Sequence, residues 1–269
     1  MKISNRKVHT FAASLAALVA ITSATVFSGC QTSPTGRKQL ILLPDDQLDA
    51  MGAQSFQELK TQTPIERDPA SNAYVKCVAN AITSALGSGN WEVVVFKDDS
   101  ANAFALPGGK IGVHTGMLKV AQTQDQLAAV IGHEVGHVLA KHGNERMSET
   151  LGAQTALAVF GATQKDRDQN NWKLALASLG VQFGYLLPHS RNQESEADVV
   201  GLELMAKAGF DPRQSVELWR NMSAAGGGQP PEFMSTHPSH ETRIADLSAN
   251  IPGAMNIYNQ TKARPSCKR

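Results

Sequence analysis

A chain of 269 residues with 25 basic and 24 acidic side chains has room to bury a full core, as one ordinary domain or two small ones. Its charge is nearly balanced and no block of like charge appears, which excludes a surface built for a polyanion, so no nucleic-acid partner is expected.

The first 30 residues differ in kind from the rest. Lys2, Arg6 and Lys7 form a basic start, Phe11 to Phe27 runs without a charge, and "VFSGC" ends at Cys30. A basic region, an apolar region and small residues before a cut site describe a secretory signal. Small residues immediately before a cysteine resemble a bacterial lipobox, which makes Cys30 the expected lipidation site, although Phe27 departs from the usual Leu or Val. An uncleaved anchor is the alternative; against it, the run is short for a bilayer and rich in Ser and Thr. Gln31 stands where Asp resembles an inner-membrane retention signal, so the expected location is the bacterial cell envelope, lipid-anchored at the outer membrane and facing the periplasm. The expected division is a lipoprotein signal peptide over 1–29, a lipid-anchored tether over 30–44, and a single domain over 45–269. Of the other cysteines, Cys77 and Cys267 can pair in an oxidising compartment and staple the C-terminal tail to the body; two free thiols are the alternative.

Residues 45–60 space Leu48, Met51, Phe56 and Leu59 as one helix face, with Asp45 or Asp46 as cap. A second helix is expected from Ser71 to Leu86, opening after Pro69 and closing at Gly87. The β-branched "WEVVVF" (91–96) reads as a strand. "NAFALPGGKIGVHTG" (102–116) reads as a strand, a Pro-Gly-Gly turn and a second strand returning along the first. Thr123 with Gln126 makes a capping box for a helix over about 124–142. Beyond the polar "TQKDRDQNN" (163–171) a helix is expected from Trp172 to Leu187, ended by Pro188. Further helices cover 192–208, stopped by Gly209, and 212–225. "GGGQPPEF" reads as a flexible loop and the second half of "STHPSHETRIADL" as helical. The fold class is α+β, mostly helical, with a small sheet.

The helix over 124–142 carries "HEVGH". His133 and His137 are four apart, share one face and can point at a common atom, while Glu134 lies about 100° round. Two imidazoles that ligate zinc, and a glutamate that serves as base toward the water the metal activates, make the HExxH pattern. Two satisfied core histidines are the alternative. A catalytic zinc also needs a third protein ligand and an open position. His142, on a continuous helix, turns well off the ligand face; position 143 is Gly rather than a third His; Cys77 sits on a predicted amphipathic helix. In "SRNQESEAD", Glu194 and Asp198 are four apart, so one can ligate while the other reaches a ligating imidazole. A solvated acidic face over Glu194, Glu196 and Asp198 is the alternative.

"PTGRKQL", "NAFALPGGKIGVHTG", "AAVIGHEVGHVLAKH", "SRNQESEAD" and "THPSHETRI" span about residues 34 to 244. In combination they resemble the HtpX-like and CAAX-prenyl-protease-like zinc metallopeptidases, a gluzincin group, and within it the periplasmic lipoprotein members of the LoiP, YcaL and BepA kind. The resemblance implies a zincin-like metallopeptidase domain with the small sheet beside the HExxH helix and one Zn²⁺ per chain. It makes Glu194 the third ligand and Asp198 the partner of a ligating histidine, expected to be His133. An aromatic often follows the ligating glutamate in that group, where this chain has Ser195. The implied activity is a zinc endopeptidase of the bacterial cell envelope acting on unfolded or misassembled envelope proteins, with envelope assembly machinery as a partner.

Three further features bear on that activity. Asn102, Ala103, Phe104, Ala105 and Leu106 form a candidate exposed edge strand, on which an extended peptide can add antiparallel; an ordinary hairpin strand is the alternative. His237 either stabilises the oxyanion or occupies zinc's fourth position in a closed state, a surface histidine being the alternative. Arg243 can pair with a carboxylate near the site or lie on a helix surface. His114, His189 and His240 have no assigned role. The competing class is a metal-stabilised chaperone or binding lipoprotein without proteolytic turnover, and a zinc hydrolase of non-peptide bonds is a third.

Overall fold

The helix that carries both motif histidines lies at the centre of the protein. The computed structural model describes residues 29–87, 89–160, 189–225, 232–237 and 243–269. In chain order it has a hairpin of β1 (Cys30–Thr32) and β2 (Lys38–Leu40), then α1 (Asp45–Gln62) and α2 (Pro69–Ser84). Strands β3 (Glu92–Phe96), β4 (Ala103–Leu106) and β5 (Lys110–His114) follow, then α3 (Met117–Val120), α4 (Gln124–Leu139) and α5 (His142–Phe160). The last described elements are α6 (Arg191–Ala208), α7 (Gln214–Ala225), α8 (Glu232–Thr236) and α9 (Arg243–Gln260). The fold is mostly helical, as expected, and the described residues form two small sheets where one was expected. The leader over 1–28, the helix expected at 172–187, most of the "GGGQPPEF" loop, and His240 lie outside the described residues.

Helix α4 is apolar on nearly all sides, and Gln126 to His137 are all buried, as such a helix requires. It packs against α6, β4, α7 and α2. Thr123 caps it by accepting the Gln126 N–H, but the Gln126 side chain reaches back to the Gln122 N–H, one residue before the position a capping box uses. Asp68 caps α2 by accepting the Ser71 N–H, with Pro69 as its first residue. At α1 the expected aspartate cap does not form. The chain enters through Pro44, and Asp45 instead binds Lys141 Nζ at 2.7 and 2.8 Å.

In the three-stranded sheet β5 is central, parallel to β3 and antiparallel to β4, in the order β3-β5-β4. Gly108 (φ 77°) and Gly109 (φ 70°) make the β4–β5 turn in the left-handed region, where a side chain would be strained. The crossing of α4 and α6 is closer than side chains allow. A Cβ on Gly201 would lie 2.9 Å from the His133 amide nitrogen, and one on Gly136 would lie 2.9 Å from the Ala197 carbonyl oxygen. Near-contact of the two backbones is what brings the acidic residues of α6 up to the motif histidines.

Three local expectations are corrected. Residues 30–40, read as a tether, form the β1–β2 hairpin, with Ser33 and Gln39 buried. Residues 232–236, read as loop, form the helical turn α8. The helix read as continuous to 142 ends at Leu139; Lys141 takes a left-handed φ of 54°, and α5 starts afresh at His142. Among the described residues, no helix is long and apolar enough to cross a membrane.

Cys77 on α2 and Cys267 in the C-terminal tail form a disulfide across 190 residues of sequence. Gln124 holds the same tail at its start of α4, donating to the Pro265 carbonyl at 2.9 Å and accepting the Cys267 N–H at 2.8 Å. Closing so long a loop removes entropy from the unfolded chain, so Cys267→Ser is expected to lower stability by about 2–5 kcal/mol. Urea denaturation checks this: the reduced wild type should unfold with the variant.

Candidate metal centre and active site

One turn of α4 places the Nε2 atoms of His133 and His137 3.0 Å apart. Glu194, near the start of α6, lies between them, with Oε2 3.5 Å from His133 Nε2 and Oε1 3.4 Å from His137 Nε2. His237, just after α8, brings Nδ1 to 3.1 Å from Glu194 Oε1 and 3.4 Å from His133 Nε2. One ligand atom from each of these four buried residues falls within 4.8 Å of the other three. Tetrahedral zinc with Zn–N bonds of about 2.0–2.1 Å sets its donors roughly 3.3–3.4 Å apart. The donor chemistry and spacing therefore fit zinc.

Behind the donors, His133 Nδ1 meets Asp198 Oδ1 at 2.9 Å. Arg243, only 1% exposed, donates to Glu194 Oε2 at 2.5 Å and to Asp198 Oδ1 at 2.8 Å. Its guanidinium lies over the Trp219 ring at 3.7 Å. Burial and Arg243 both push the His133 imidazole down, but Asp198 and Glu194 outweigh them and raise it to about 9. Burial opposes ionisation of Glu194, yet His237, His133 and His137 hold it well below the usual carboxylate range. The centre thus favours a cation surrounded by an ionised carboxylate and imidazole nitrogens.

Glu134 is buried beside this group and faces a cleft of about 240 Å³. Burial pushes its carboxyl up, against the opposing pull of His237 and His133 and a hydrogen bond from the Ala105 N–H. Its Oε1 lies 3.3 Å from His237 Nε2 but outside hydrogen-bond geometry, and has no other partner. A carboxyl in this position can take and return a proton in the cleft.

Strand β4 forms the opposite wall. It is the outer strand of its sheet, but the side chains of Asn102 to Leu106 are all buried, so the expected exposed strand is corrected. Asn102, Ala103, Phe104 and Ala105 nonetheless line the cleft. The Asn102 carbonyl accepts the His114 N–H of the β5 side, and alternation then turns Ala103 and Ala105 outward. The Ala103 N–H is taken by the Asn102 side chain at 2.9 Å.

The structure brings together His133, Glu134, His137, Glu194, Asp198, His237 and Arg243. Cys30 is an exposed free thiol in β1. Sequence reasoning missed His142, whose Nδ1 lies 2.8 Å from His137 Nδ1, and Glu196, whose Oε2 lies 3.2 Å from His142 Nε2. It also missed His189, whose ring stacks on His137 at 3.8 Å. His137, His142 and His189 form a second compact group. A metal there would need both nitrogens of His137 deprotonated, so a hydrogen-bonded cluster is the better account of it.

Residues 69–251 match the model of peptidase family M48. The chain is 39% identical over 185 residues to the mitochondrial metalloendopeptidase OMA1 of Schizosaccharomyces pombe, covering 67% of this chain and 53% of that protein. It is 30% identical over 263 residues to the mitochondrial metalloendopeptidase OMA1 of Homo sapiens, covering 89% and 49%. It is 26% identical over 205 residues to the beta-barrel assembly-enhancing protease of Escherichia coli, covering 73% and 42%. The chain spans about half the length of these curated relatives. Relatives at 30–39% identity are mitochondrial by name, which overturns the expected location as a bacterial outer-membrane lipoprotein. With two histidines of an HExxH helix joined by Glu194 and His237 in a donor set that fits zinc, and a family match over most of its length, the chain belongs to peptidase family M48.

Proposed function

We propose that the protein is a zinc endopeptidase that cleaves extended segments of unfolded or misassembled proteins, as a quality-control enzyme. Within family M48 its motifs favour the HtpX-like and CAAX-prenyl-protease-like gluzincins. The observation that carries the proposal is Glu194 converging on His133 and His137 beside a buried Glu134 that opens on a cleft. The relatives named metalloendopeptidase and beta-barrel assembly-enhancing protease support it.

His133, His137 and Glu194 would hold the zinc, with Asp198 fixing the His133 ring and Arg243 fixing both carboxylates. When bound, zinc supplies a Lewis acid for the scissile carbonyl and lowers the pKa of a water it holds to about 7. Glu134 takes a proton from the attacking water and delivers it to the leaving amide nitrogen, a transfer worth about 10²–10⁴-fold. The outward carbonyls of Ala103 and Ala105, whose own N–H groups are held by Asn102 and Glu134, accept N–H groups of an extended substrate lying antiparallel, a contact that tolerates many sequences.

His237 is best read as a plug. Its Nδ1 takes the fourth corner around the donors, and the turn that carries it is tied to the start of β4. Phe233 N–H donates to the Ala101 carbonyl at 3.2 Å, and Asn102 Nδ2 donates to Glu232 at 3.1 Å. Zinc-loaded protein is expected to cleave casein, and a chelator to stop it; binding without cleavage would favour the chaperone reading. His237→Ala should raise turnover of a short peptide several-fold, whereas a fall would assign His237 to the oxyanion instead.

A further inference from the structure

We infer that the β1–β2 hairpin belongs to the metal-holding apparatus: Thr35 and Arg37 anchor Glu196, Glu196 orients His142, and His142 orients His137. The inference rests on His137 ligating zinc as proposed above. Of its residues, Thr35 and Arg37 precede the family match at 69–251.

The proton positions follow one from the next. His137 turns Nε2 toward His133 and Glu194, so to ligate through Nε2 it must carry its proton on Nδ1. That nitrogen lies 2.8 Å from His142 Nδ1, which must therefore accept. An accepting Nδ1 puts the His142 proton on Nε2, and Nε2 meets Glu196 Oε2 at 3.2 Å. Glu196 is itself surrounded by donors: the Thr35 hydroxyl at 2.7 Å, the Thr35 N–H at 3.3 Å and Arg37 Nε at 2.9 Å. Arg37 also pairs with Glu145, which accepts Gln193 Nε2 at 2.7 Å. Every hydrogen bond in the chain runs one way, ending on a carboxylate that the hairpin holds.

The two motif histidines are thus supported by different routes. His133 has a carboxylate at 2.9 Å on α6, the helix that also supplies Glu194. His137 is supported through a buried imidazole and a carboxylate clamped by a segment more than 150 residues earlier in the chain. The left-handed turn at Lys141 makes this route available, because it swings His142 back over the His137 ring. Thr35, Arg37, Glu196 and His142 are positioning residues, none of which touches the metal donors' inner corner.

The test measures zinc dissociation constants on the full chain by chelator competition, together with imidazole nitrogen NMR of the metal-free protein. Arg37→Ala, Thr35→Val and His142→Ala should each weaken zinc binding about 10–100-fold, with Arg37→Lys recovering part of the loss. Arg37→Ala should add little in a His142→Ala background, since both break one chain. The His137 proton should sit on Nδ1 in the wild type and be shared between the two nitrogens in Arg37→Ala. Unchanged affinity in both Arg37→Ala and Thr35→Val, or an undiminished Arg37→Ala effect without His142, would overturn the relay. If His137→Ala itself leaves zinc affinity unchanged, the ligand assignment fails instead, which separates the two ideas.

Discussion

Glu134→Gln is expected to keep the fold and the bound zinc while peptide cleavage falls by about 10²–10⁴-fold. The two side chains have nearly the same shape. Glutamine can still accept the Ala105 N–H that Glu134 accepts, and its amide group can occupy the place of the unpartnered Oε1. What it cannot do is bind and release a proton. Glu134 is buried and its carboxyl is pushed up by that burial, so losing the charge removes a desolvation cost rather than a needed contact. Thermal stability should therefore hold or rise slightly. Metal analysis, a thermal melt and peptide hydrolysis on one preparation check all three statements, and near-normal hydrolysis would remove Glu134 from its role.

Arg243→Ala is expected to cost about 3–5 kcal/mol in the metal-free protein, the range for removing one partner of a buried ion pair. Arg243 is 1% exposed and bonds two carboxylates, Glu194 at 0% and Asp198 at 9% exposure. Without it, two buried carboxylates face His133 with their shared guanidinium gone. Lysine should rescue poorly, because a single ammonium cannot span both carboxylates and stack on Trp219 as the planar guanidinium does. A divalent cation at the centre would offset part of the missing charge, so the loss should be smaller in the zinc-loaded protein. Urea denaturation with and without zinc measures both values. A loss below about 1 kcal/mol in both states, the scale of an exposed pair, would mean that Arg243 is no more than a surface residue.

Much of the site was legible because its signals are local. His133 and His137 are read from a four-residue spacing and the β4–β5 turn from Pro-Gly-Gly; a second four-residue spacing pairs Glu194 with Asp198, but which of them ligates comes from the family resemblance. What stayed hidden depends on one backbone torsion or on distant partners. His142 was set aside because a continuous helix would turn it away from the ligands; a single left-handed residue, Lys141, reverses that. Glu196 reads as surface charge until the hairpin is seen to fold over it, and "PTGRKQL" reads as a spacer because its polar side chains find partners far along the chain. Arg243 showed the same limit: a pairing and a surface position were equally open until the crossing of α6 and α9 buried it. The glycines at the α4–α6 crossing, Gly136 and Gly201, carry no chemistry of their own, yet their missing side chains let the ligand sets meet.

The bond between Cys77 and Cys267 turns all the chain between them into a covalent ring. A single cut anywhere in that ring, whether by another protease or by a second copy of this one, opens it without releasing a fragment. Such a nicked molecule would run as one species on a non-reducing gel and as two after reduction, so intactness of the backbone cannot be judged from the non-reducing gel alone while the bridge is closed.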